Sequence, residues 1–291
     1  MPRILIGIAL FLAVIVSAET AGAYSDTIRA WQKHRDAGLR AEGGWLTLVG
    51  LFWLKPGDNT IGSAPESDFV LPKSAPAHLG KLHWADGKVS LIDPAGSRKD
   101  LSFDDEHPDI VKAGATVSFF VIKRGDRLGI RAKDSASPAL KNFEGMSYFP
   151  INPAMRFEAT LIPDVRKIPI LNVLGQTEMQ ESPGWVEFHY HGNAYRLRPI
   201  YEDTANGKTL YFLFKDLTNK TRTYPAGRML NVPLPVNGKV DLDFNRAYNP
   251  PCTFTPYATC PLPPKENHLT VAVNAGELRY KDGHPYETSS K

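Results

Sequence analysis

Proline and glycine punctuate this chain so often that, beyond residue 45, long regular helices have no room. The 291 residues include 24 prolines and 23 glycines, set between short apolar runs. Proline fixes φ and removes a backbone donor, whereas glycine relaxes φ, so both favour turns and strand ends over helix interiors. The runs between them alternate or are continuously apolar, as strands do. Trp45–Leu54 reads as a strand buried on both faces. Val117–Lys123 and Leu128–Ala132 read as a hairpin turning at Arg124–Arg127. Trp185–His191 puts Val186, Phe188 and Tyr190 on one face and Trp185, Glu187, His189 and His191 on the other. Thr209–Phe214 suits the centre of a sheet, and Val240–Asn245 puts Asp241, Asp243 and Asn245 on a shared face. The expected fold is all-β, with antiparallel sandwich or barrel units and a short N-terminal helix over Ser25–Leu39, capped by Ser25. A doubly wound α/β sheet does not fit this pattern.

The N-terminus predicts export. Met1–Arg3 is a short basic start, Ile4–Val16 is apolar but too short to span a bilayer, and Ala21-Gly22-Ala23 has the small-x-small pattern of a cleavage site. Residues 1–23 are therefore read as a signal peptide, Tyr24 as the mature start, and the compartment as periplasmic or extracellular, with no membrane span after cleavage. Prolines at 150, 153, 163 and 169 suggest a boundary just before them. The expected organisation is residues 24–141 as the helix plus a small β-sandwich-like unit, and residues 142–291 as a larger β unit. The net charge of +3 is interspersed along the chain, without a basic block. Nucleic acid is thus not an expected partner.

The larger unit carries a cassette, Asp243–Pro264, whose 22 residues hold six prolines and both cysteines of the chain. In an oxidising compartment Cys252 and Cys260 are read as a disulfide. Closing a loop of about nine residues contributes about 2.5 kcal/mol in the loop-entropy model. Upstream, Lys215–Arg228 supplies Asp216, Arg222, Tyr224 and Arg228. A guanidinium fork suits a carboxylate or phosphate ligand. One reading has Arg222, Tyr224, Arg228, Asn245, Tyr248 and Asn249 converging on a ligand cleft roofed by the disulfide loop. The other has Arg228 in a structural ion pair with Asp216.

Other motifs carry less. His189 and His191, beside Glu187, have the spacing to begin a zinc site but lack companion ligands, so no metal or cofactor is assigned. His78 and His83 have no acidic companion in sequence. Gly-x-Ser-x-Gly and Ser-x-x-Lys are absent. Asp104-Asp105-Glu106 and Asp241/Asp243 are acidic pairs of the type glycosidases use. Arg124-Gly-Asp126 is a hairpin turn, and Asn219-Lys-Thr221 matches a glycosylation sequon.

Taken together, Gly44–Leu54, Asp216, Thr223-Tyr224, Gly227-Arg228 and the Asp243–Pro264 cassette resemble the bacterial family catalogued as domain of unknown function 1684. That resemblance implies one architecture and an extracytoplasmic or cell-associated setting, but no activity, substrate or cofactor. Three function classes follow from the residues. The first is an exported protein binding a small anionic or glycan-like ligand near the cassette. The second is an extracytoplasmic hydrolase using Asp243 or Glu187 as acid or base. The third is an envelope interaction module presenting Tyr248, Phe254 and Tyr257.

Overall fold

The computed structural model describes residues 5–104, 107–204 and 207–281, with side chains from residue 22 onward. Residues 1–4 of the expected signal, the side chains of its residues 5–21, and Asp105 and Glu106 of the acidic run lie outside the described residues. The protein is mostly β, built of several antiparallel sheets with one long N-terminal helix, α1 (Leu5–Arg40). Ser25, expected as a cap, lies inside that helix. The chain divides into two units. The small unit comprises Gly38–Glu144 and Pro251–Cys260. The large unit takes the chain through Ala37, Gly145–Pro250, and from Pro261 on. α1 through Ala37 belongs to the large unit and the cysteine loop to the small one.

In the small unit a 3-10 turn at Trp45–Thr47 leads into β1 (Leu48–Trp53), none of whose residues is exposed. Then follow β2 (Gly57–Gly62), β3 (Phe69–Val70), β4 (Gly80–Ala85), β5 (Lys88–Ile92), β6 (Arg98–Leu101), β7 (Val111–Lys112), β8 (Val117–Arg124) and β9 (Arg127–Asp134), ending with the helical turn α2 (Pro138–Lys141). They form two sheets, in the orders β3-β2-β4-β5-β6 and β1-β9-β8-β7. The sheets share a core that includes Ile61, Leu82, Val89, Phe119, Val121 and Ile130. β8 and β9 make the expected hairpin, and Gly125 takes positive φ (56°) at its turn.

The large unit begins its sheets with β10 (Arg156–Leu171) and β11 (Thr177–Tyr190), an unusually long antiparallel pair. β12 (Asn193–Leu197), β13 (Ile200–Thr204), β14 (Gly207–Phe214), β15 (Arg228–Pro233) and β16 (Lys239–Asp243) follow. The orders are β12-β11-β10-β16 and β13-β14-β15, so β14 is central as its apolar run predicts. Inward residues of both sheets, among them Val186, Phe188, Phe212, Leu230, Leu242 and Phe244, make one core. β16 ends at Asp243, and a 3-10 turn at Phe244–Arg246 takes Asn245 off the strand.

Candidate functional site

Arg228 is structural. Asp216 opens a 3-10 turn with a reciprocal cap: its carboxylate accepts from Thr218 N (2.9 Å), and Asn219 Oδ1 accepts from Asp216 N (2.5 Å). Arg228, at the start of β15, donates from Nη2 to Asp216 Oδ2 (2.8 Å) and Val273 O (2.9 Å), and from Nη1 to Ala275 O. Val273 N returns a bond to Asp216 Oδ1 (3.1 Å). Both side chains are 0% exposed. Burial pulls the guanidinium below its ordinary value while Asp216 holds it up. The pair stitches β15 to the 216–220 turn and to segment 273–275, which is the ion-pair reading weighed above. Tyr224 is buried behind the same turn, where its carbonyl accepts from Asn219 Nδ2 (2.7 Å). Asn219 is thereby buried and engaged, so the sequon is closed off. Arg222 is exposed, with its guanidinium carbon over Phe149, 4.4 Å from the ring centroid. No carboxylate pairs with it among the described residues.

Asn245 belongs to a second cluster. Tyr24, on α1, donates its hydroxyl to both oxygens of Asp243 (3.0 and 2.9 Å). Asn245 Nδ2 donates to the Tyr24 hydroxyl (2.9 Å), Asn152 O (2.8 Å) and Asp243 Oδ1 (3.0 Å). Burial, then the Asp243 charge, pushes the Tyr24 phenol far above its usual range, so it remains a donor. Asp243 is therefore occupied, and Asp241 is held by Arg156 in a two-point pair (2.7 and 2.8 Å). Beside that pair is a groove of about 440 Å³ with Leu234 and Val236 on its rim. Its charges are paired internally, Lys239 with Glu158 at 3.6 Å.

Tyr248 and Asn249 meet a third cluster, which includes residues that sequence reasoning did not single out. The backbone of Tyr248 pairs with Met229 in both directions (2.8 Å each way), so the arginine segment and the cassette do meet. Glu277, 0% exposed, accepts from Arg35 Nε (2.9 Å) and Asn249 N (2.6 Å), and Arg35 Nη2 donates to Asn249 O (3.0 Å). The Arg35 guanidinium also covers the Tyr248 ring at 4.7 Å. The Tyr248 hydroxyl donates to Asn231 Oδ1 (2.6 Å), and Asn231 Nδ2 donates to Glu202 Oε2 and Thr209 Oγ1 (3.3 Å).

Glu202 ends this string. β13 is an edge strand, and Glu202 sits opposite Thr209 on the sheet face turned away from Leu210, Phe212 and Leu230. It is partly buried, with no cation among the described residues, and burial raises its carboxyl above the ordinary value against the pull of Asn231. Burial and the Glu202 charge also raise the Tyr248 phenol, which keeps its proton. Nothing in the sequence marks Glu202, which follows Tyr201 on a short strand.

The remaining candidates are ordinary surface. His189 and His191 are exposed, and Glu187 pairs with Arg196 at 2.8 Å. His83 does have an acidic companion across the sheet, Asp58 at 2.6 Å, and His78 lies 3.7 Å from Glu66. Among the described residues no three His, Cys, Asp or Glu side chains gather as a metal cluster. In the small unit Cys252 and Cys260 are buried thiols, with Cys252 N donating to Cys260 Sγ at 3.1 Å. Phe254 is buried and Tyr257 exposed.

The family model described as "Protein of unknown function (DUF1684)" matches residues 141–278, leaving Gly44–Leu54 outside the matched span. No curated protein matches the chain. The solution NMR structure of an uncharacterized protein of Haloarcula marismortui is 30% identical and aligns over 47% of this chain and 78% of that one, with a TM-score of 0.39.

Proposed function

The chain belongs to the DUF1684 family, and we propose that it binds a small, hydroxyl-rich, glycan-like ligand at the Glu202–Asn231–Tyr248 face of its large unit. The observation that carries this reading is Glu202, a partly buried carboxylate left without a cation among the described residues. Such a group forgoes hydration without ion-pair compensation, which is unfavourable unless something else meets it. Asn231 is fully engaged and fixes the carboxylate, so the remaining Glu202 lone pairs are what a ligand would address. Hydroxyl donors fit them, whereas an anion would be repelled. The anionic option loses its main support because Arg228 is consumed internally.

The test is calorimetric titration with glucose, N-acetylglucosamine, cellobiose and maltose. Binding by at least one, weakened about tenfold or more in Glu202→Gln, the loss of one charge-assisted hydrogen bond, is the expected outcome. No binding across the panel, or unchanged affinity in the variant, overturns it. A second reading also starts from Glu202: a carboxyl held above its ordinary value can act as a general acid. The hydrolase alternative therefore moves from Asp243 and Glu187, both occupied, to Glu202. Turnover of aryl glycosides that disappears in Glu202→Gln even at substrate concentrations that saturate the variant would separate catalysis from binding.

The export reading rests on the N-terminal sequence pattern. Fractionation with N-terminal sequencing should find an extracytoplasmic species starting at Tyr24; an intact Met1 species in the cytosol would contradict it.

A further inference from the structure

Two thiols eight positions apart in sequence are folded against each other in the small unit, in a loop anchored at several points. Thr255 Oγ1 donates to Leu48 O (3.0 Å) at the start of β1, and Thr259 Oγ1 accepts from Arg131 Nη2 (2.9 Å) on β9 and Arg124 Nε (3.3 Å) on β8. These anchors hold the loop ends so that Cys252 N donates to Cys260 Sγ at 3.1 Å, and the thiols share a hydrogen bond. The two sulfurs are therefore neighbours across the loop, the juxtaposition from which a disulfide can form.

We propose that Cys252 and Cys260 form an exchangeable disulfide in which Cys252 is the entry sulfur and Cys260 the resolving one, closing the loop 251–260 that Thr255 and Thr259 anchor to β1, β8 and β9. Cys252 is the more exposed of the two, at 9% against 5%. The hydrogen bond from Cys260 lowers the Cys252 thiol, with Arg131 contributing, whereas burial raises Cys260. The thiolate is the nucleophile in exchange, so the same sulfur is favoured by access and by charge. The Cys252 thiolate attacks a small-molecule disulfide and expels one thiolate, giving a mixed disulfide. Deprotonated Cys260 then attacks the Cys252 sulfur and expels the second. The protein loses two hydrogens as cystine forms, and the oxidant is reduced to two thiols. The inference stands apart from the ligand reading, which concerns the large unit.

The test uses the full chain incubated with oxidised glutathione, then alkylated and peptide-mapped. The expected result is a peptide joined Cys252 to Cys260, protected from alkylation until reductant is added, with a melting temperature about 5–10 °C higher than the reduced form. With single variants, Cys260→Ser should accumulate glutathione on Cys252 about tenfold faster than Cys252→Ser accumulates it on Cys260. If either variant fails to fold, the order of attack is read on the wild-type chain from which cysteine carries the first glutathione. Two cysteines that stay alkylatable in the folded, oxidant-treated chain would overturn the proposal. First attack at Cys260 would overturn the assignment of the entry sulfur.

Discussion

Arg228 is buried and charged because three acceptors, one of them a carboxylate, surround its guanidinium. A buried pair adds little net stability over an apolar replacement, but removing one partner leaves the other charge stranded. Arg228→Met should therefore cost about 3–5 kcal/mol, read by urea denaturation, and Arg228→Met with Asp216→Leu should recover much of it. Glu202 is the opposite case. Its folded-state value lies above the unfolded one, so the native state holds its proton more tightly. Stability is then highest below the ordinary carboxylate range, falls as pH rises from there through the folded-state value, and is flat above. Glu202→Gln removes that loss. The variant should be the more stable protein at pH 7–8, with the difference vanishing in acid. A wild type more stable than the variant at pH 8 would mean that an unrecognised cation serves Glu202.

Elements were legible where their side chains alternate without interruption or form an unbroken apolar run. β8 and the second half of β11 follow the sequence pattern because one face of each is core, whereas β9 and β14 are legible as short runs buried on both faces. β10 was not legible, because Pro163 and Pro169 read as breakers. They are tolerated because β16 pairs only with Arg156–Thr160, so neither proline lies in that ladder. The pairing slips between Pro163 and Arg166, where Gly184 of β11 has φ 144° and no room for a side chain. A Cβ there would lie 2.1 Å from Ile162 O. Gly184→Ala should cost about 2–4 kcal/mol by chemical denaturation, combining backbone strain with overpacking. α1 is fixed to β16 through Tyr24. Tyr24→Phe removes the hydroxyl shared by Asp243 and Asn245 and should cost about 1–3 kcal/mol, measured the same way.

At the scale of the whole molecule, neither unit is one continuous stretch of chain. Arg35 comes from α1 to neutralise Glu277, and Thr255 and Thr259 come from the cassette to β1, β8 and β9. The family-matched segment is thus incomplete by itself. A fragment of residues 145–281 should melt at lower temperature than the same segment in the full chain, and a peptide of residues 22–37 should raise its melting point. These long-range pairings explain why the site was only partly legible. Composition and alternation identified the cassette and Tyr248, but nothing local to Glu202, Asn231 or Arg35 shows that they share one string of bonds. Likewise Arg228 has the chemistry of a ligand arginine in sequence, and only its surroundings make it structural. The central claim is that the ligand face is at Glu202 and not at Arg228. Its most direct test is a saccharide titration followed by NMR on the Asn231 side-chain amide and the Glu202 carboxyl carbon. The account predicts saturable shifts of these two resonances with the Arg228 guanidinium unmoved; shifts confined to the Arg222 and Phe149 neighbourhood, or none at either place, would contradict it.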